Sequence, residues 1–254
     1  MLTTQHERDH ESPPVRRGHT AVRHGAMPVA ALVLALSVSL APVTTAGAGG
    51  QPGGTTGAQE DLTTAASAGS VSVPIRLADD ALQRAIVQLR ADRYAKARAS
   101  LDTVRRQGKR AHQVATALIG APPTDPESDD VPGPPAVMAV LGLDHRIGMR
   151  VVELFDGMKR PGVVDALRRT LWTTHRGRNV MLDKVIRLPA EGARADYADG
   201  MADTLGLYQQ EVKTVTTALN TYRLSPAGRV GLRRALVRVK ATTAKVNRAF
   251  GGGE

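Results

Sequence analysis

The chain has 254 residues, 42% of them hydrophobic but only 3% aromatic, with no cysteine and a formal net charge of +10 at pH 7. Without cysteine there is no disulfide, no thiolate metal site, no cysteine nucleophile and no lipid attachment through an N-terminal cysteine. The excess of 34 basic over 24 acidic side chains favours contact with polyanions, while so few rings make a poor stacking surface for bases or sugars.

Arg8, Arg16, Arg17 and Arg23 precede an apolar run from Val29 to Leu40, which Pro42 ends. The run is shorter than the roughly 20 residues that span a bilayer, and Ala46-Gly47-Ala48 follows it with small residues, so residues 1–48 read as a secretory signal cut after Ala48. The expected location is therefore outside the membrane, secreted. An N-terminal membrane anchor facing outward is the alternative, because the run can be stretched from Met27 to Val43. Residues 49–72 are rich in Gly, Thr and Ala without periodicity and read as a flexible linker. Export leaves nucleic acid behind, so no nucleic-acid partner is expected.

From residue 73 to 250 apolar residues recur at steps of three and four, and no stretch reads as a strand. The fold class expected is all-α, an antiparallel helical bundle of about six helices, with a flexible tail at 251–254. The first helix follows Pro74 with Leu77, Ala81, Leu82, Ala85, Ile86 and Leu89 as its stripe. "DRYAKARASL", Asp92 to Leu101, resembles the second half of a tetratricopeptide hairpin through Tyr94, Ala97 and Leu101. The resemblance covers about ten residues, does not recur and implies only helix-hairpin packing.

The second helix buries Ala97, Leu101, Val104, Ala111, Ala115 and Leu118, with His112 at the border of that stripe. It raises a basic ridge of Arg98, Arg105, Arg106 and Lys109. The loop "APPTDPESDDVPGPP" ends it. Asp125, Glu127 and Asp129 alternate there, but Asp130 stands where a calcium loop turns on Gly and the distal Glu is missing, so a solvated acidic loop is expected.

In "LDHRIGMRVVELFDGM" the residues Leu143, Ile147, Val151, Leu154, Phe155 and Met158 share one arc of a helical wheel, and Asp144 falls among them. Because Asp144 follows Gly142, the spacing is read as a helix start, with Asp144 as N-cap and His145 in solvent. His145 has Gly148 and Met149 at the positions where a metal ligand would be needed, and no metal or catalytic role is assigned to it.

Pro161 opens a fourth helix through Leu167, Leu171, Leu182 and Val185. Its wheel carries Arg178 into the apolar stripe, beside Thr174 and with His175 at the border. A buried arginine needs a carboxylate, a bound anion, or a helix break that frees it. A break at Gly177 is the expectation; the alternative is a small-ligand or partner-protein site centred on Arg178 and His175, with Trp172 nearby. The fifth helix repeats Met201, Leu205, Tyr208, Val212, Val215, Leu219 and Tyr222 in a narrow seam. "SPAG", Ser225 to Gly228, supplies an N-cap and a first-turn proline for the sixth. That helix is free of acids and places Arg234, Arg238, Lys245 and Arg248 on one face.

No Gly-x-Ser-x-Gly, Walker loop, dinucleotide fingerprint, His-Glu-x-x-His or Ser-x-x-Lys occurs. The expectation is thus no enzyme and no cofactor. It is a binding or structural protein of the cell envelope, meeting an anionic wall polymer, lipid headgroups or another envelope protein through Arg234, Arg238, Lys245 and Arg248. An enzyme with a site assembled from distant residues is the remaining reading.

Overall fold

The computed structural model describes residues 68–123 and 131–251. The expected signal, most of the linker and the "DPESDD" loop lie outside them. Among the described residues there are six α-helices and no strand: α1 (Ala68–Arg90), α2 (Tyr94–Leu118), α3 (Gly133–Glu153), α4 (Pro161–Ile186), α5 (Ala198–Thr221) and α6 (Pro226–Phe250). A 3-10 turn, Ala195–Tyr197, leads into α5. Among these residues no helix is long and apolar enough to cross a membrane.

The helix starts follow local chemistry where a proline sits in a first turn, since the N–H it lacks has no partner there anyway. Pro161 opens α4 and Pro226 opens α6, and the Ser225 hydroxyl accepts from the Gly228 backbone N–H at 3.2 Å. The same rule places the start of α3 earlier than expected. Pro134 and Pro135, assigned above to the loop, form its first turn. Asp144 is therefore not an N-cap but a mid-helix residue with 0% exposure. The start of α1 is also earlier, at Ala68, inside the stretch read as linker. Pro74 lies within that helix, and Val71 is buried in the core beyond it. Leu77, expected in the stripe of α1, is exposed at 38%.

α1 and α2 form a hairpin closed by Ala91–Arg93, with Asp92 in the left-handed region at φ 55. Beyond the hairpins, every second helix packs in parallel. On α4 and α6, Asn179 accepts from Thr242 and Asp183 pairs with Lys245, at sequence separations of 63 and 62. On α3 and α5, Met138 meets Gly200 and, ten residues on, Gly148 meets Glu211. On α2 and α4, Arg98 lies over Gly162, His112 over Gly177 and the Lys184 ammonium on the Thr116 carbonyl. The bundle is thus three stacked hairpins, with α1, α3 and α5 in one layer and α2, α4 and α6 in the other. One apolar core of Leu, Val and Ala runs between the layers, with Phe155 and Tyr208 fully enclosed.

Candidate functional site

α4 runs through Gly177 without a break, and Arg178 stays inside at 0% exposure. The expected helix break is overturned because both of its premises have another cause. Gly177 is small to admit a neighbour: a Cβ there would lie 2.6 Å from Nδ1 of His112, whose ring is packed flat against α4. Arg178 has the carboxylate it requires, donating from Nη1 to Oε2 of Glu211 at 2.8 Å across 33 residues. The Arg178 guanidinium also lies over the Tyr208 ring, 4.6 Å from its centroid.

These contacts belong to a polar group buried where α2, α3, α4 and α5 meet. Nε2 of His175 bonds Oε1 of Glu211 at 2.9 Å, so one carboxylate serves two partners. Room for it comes from Gly148, where a Cβ would stand 2.7 Å from Oε1 of Glu211. Burial alone would push the Glu211 carboxyl up, but the Arg178 charge and the His175 bond hold it down at about 2. Arg178 is conversely held above its ordinary value by Glu211. Burial and the Arg178 charge lower His175, so its ring is neutral, and burial likewise lowers His145.

His112 is the second half of the group. Nδ1 faces the Gly108 carbonyl at 2.7 Å and Nε2 faces Oδ2 of Asp144 at 2.9 Å. Only the imidazolium donates to both. Burial opposes that form, yet the Asp144 charge and bond and the Gly108 carbonyl raise the ring above its ordinary value. The buried group therefore holds two compensated ion pairs, Arg178 with Glu211 and His112 with Asp144, around the neutral His175.

Above His112 the packing of α2 on α4 leaves a cleft of about 610 Å³. Its walls carry Arg105, Arg106 and Lys109 from α2 and Trp172 and Arg176 from α4, His112 closes its floor, and no acidic residue lines it. Arg176 lies over the Trp172 ring at 5.2 Å, and Trp172 is 43% exposed. Arg105 is paired with Asp102 at 3.0 Å, outside the cleft lining. A smaller groove of about 190 Å³ lies between α4 and α6, with Arg168, Arg169, Arg234 and Arg238 around Trp172 and Asp165. Its single carboxylate, Asp165, is paired with Arg169 at 2.6 Å.

The four residues expected to form one basic face on α6 are thus divided. Arg234 and Arg238 line the smaller groove, Lys245 is paired with Asp183 at 2.6 Å, and exposed Arg248 turns back to the Ala244 carbonyl. Arg178 and His175, the centre of the alternative ligand site, lie together in the interior, where a ligand centred on them would displace Glu211. His145 is half-buried rather than solvent-facing. Among the described residues no group of three or more His, Asp or Glu side chains could hold a metal ion.

Sequence reasoning passed over Glu211, and the signal was present. The buried line of α5 is Met201, Thr204, Tyr208, Glu211, Val215 and Ala218, at steps of three and four. Of the seam read from the sequence, Met201, Tyr208 and Val215 are on that line, while Leu205, Val212, Leu219 and Tyr222 run beside it and are only half-buried. No family model, no curated protein and no solved structure matches the chain.

Proposed function

We propose that this chain is an exported, non-enzymatic binding protein of the cell envelope, and that the cleft between α2 and α4 holds a phosphate-bearing anion. The observation that carries the reading is the charge of the cleft: Arg105, Arg106, Lys109 and Arg176 with no carboxylate among its lining residues. Cations gathered in a concave, low-dielectric wall focus their field outward and attract an anion more strongly than the same charges scattered on a convex face. Guanidinium forks suit phosphate oxygens through paired N–H donors, and a lysine adds a mobile point charge.

Binding rather than turnover is supported by the state of His112. Both of its ring nitrogens are already bonded, so neither faces the cleft as a base. Its charge is met by buried Asp144, which leaves the cations of the walls to hold the anion. The envelope location rests on residues 1–48 and remains part of the proposal.

Trp172 is the one tryptophan of the chain and lines the cleft, so its fluorescence responds to a ligand bound there. Titration with tripolyphosphate is expected to change that fluorescence, and the change is expected to weaken with added salt. The variant Lys109→Gln with Arg176→Gln is expected to lose about tenfold or more in affinity, as the loss of charged hydrogen bonds implies. Salt-independent binding, or equal binding by the variant, would sink the reading.

A further inference from the structure

Trp172 lines both depressions, the larger between α2 and α4 and the smaller between α4 and α6. The two are therefore neighbours across a single helix, separated by the ridge that carries this ring. An Arg-Arg pair recurs on each of the three helices concerned: Arg105-Arg106 on α2, Arg168-Arg169 on α4 and Arg233-Arg234 on α6. Parallel packing brings these pairs to one level. His112 of α2 lies over Gly177 of α4, and Arg168 of α4 lies over Gly231 of α6, where a Cβ would meet its Cγ at 2.6 Å. Counting along from those contacts, each pair stands within about one turn of the next. With helix axes 8–10 Å apart, the level spans roughly 16–20 Å from α2 to α6.

We infer that the two grooves form one track for a linear polyphosphodiester without bases, which crosses α2, α4 and α6 over Trp172. This rests on the reading of the larger cleft as a phosphate site and extends it to the form of the ligand. A short phosphate ligand reaches the cations of one groove; a chain of phosphates satisfies Arg105, Arg106 and Lys109 on one side and Arg168, Arg234 and Arg238 on the other. Strands carrying bases are disfavoured because the track offers one indole, already occupied on its face by Arg176, where single-stranded nucleic acid wants several stacking platforms. A flat bilayer is disfavoured because it would touch the Trp172 ridge and miss the concave walls.

The test compares tripolyphosphate with soluble long-chain poly(glycerol phosphate) on the full chain, read by Trp172 fluorescence. The polymer is expected to bind more tightly, and the double variant Arg234→Gln with Arg238→Gln is expected to lose about tenfold on the polymer and far less on tripolyphosphate. The slope of log affinity against log salt for the polymer should fall by roughly 0.7 for each cation removed. If tripolyphosphate binds normally but the polymer ignores the double variant, the track is overturned and the single cleft stands. If neither ligand binds, both fall. Equal or tighter binding of single-stranded DNA, or of anionic phospholipid vesicles, overturns the choice of polymer.

Discussion

Arg178 and Glu211, 33 residues apart, are joined at 2.8 Å with both side chains at 0% exposure. An ion pair placed this deep gains its stability only while both partners are present, because either one alone is a desolvated charge.

The single variant Arg178→Met is accordingly expected to destabilise the bundle by about 3–5 kcal/mol, since it abandons Glu211 in the core. Adding Glu211→Gln should recover part of that loss rather than compound it. Urea unfolding of the two single variants and the double variant measures the coupling. Simple additivity of the two losses would show that Arg178 and Glu211 do not act as a coupled pair.

Gly177 and Gly206 are both helical glycines, and helix propensity alone predicts a gain from alanine at each. The structure separates them. At Gly206 an added Cβ meets nothing within 4 Å, so Gly206→Ala should stabilise by about 0.5–1 kcal/mol. At Gly177 the methyl would strike the buried His112 ring, which is held from both nitrogens, and Gly177→Ala should cost about 1–3 kcal/mol. Thermal unfolding of the two variants should move in opposite directions.

Stability should fall on acidification in two stages. His175 and His145 sit below their ordinary value of 6.5 in the folded chain, so their contribution is complete above 6.5 and is lost as pH drops below it. Glu211, at about 2 against an ordinary 4.5, adds on the order of 3 kcal/mol above 4.5, lost as pH falls toward 2. His112 has the opposite sign. Raised above 6.5, it contributes fully below that value and loses its contribution as pH rises through the folded value. Denaturant curves across this range should show Glu211→Gln converging on the parent chain below pH 4.5, and a constant gap would contradict the assignment.

Asp144→Asn tests the other pair. With its carboxylate partner neutralised, the buried His112 ring should titrate lower than in the parent chain, a shift read directly from its imidazole proton resonances. An unchanged midpoint would mean that Asp144 does not hold the charge on the floor of the cleft.

Much of this architecture is carried by local sequence. Pro161, Ser225 and Pro226 fix two helix starts by chemistry within a single turn, and steps of three and four mark the stripes that must face inward. The wheel also put Arg178 on such a stripe and Asp144 among the apolar residues of α3, where both are in fact buried. What one helix cannot specify is its neighbour. Arg178 inside a stripe demands compensation, but whether Glu211, a bound anion or exposure to water supplies it depends on the register of α4 against α5. Gly177 is a weak point by propensity, and only the His112 ring from α2 makes it the one residue that fits. The basic residues were equally visible as separate ridges on α2 and α6. Parallel packing of every second helix decided that Arg105, Arg168 and Arg234 share a level, because periodicity sets which way a side chain points and packing alone sets what it faces.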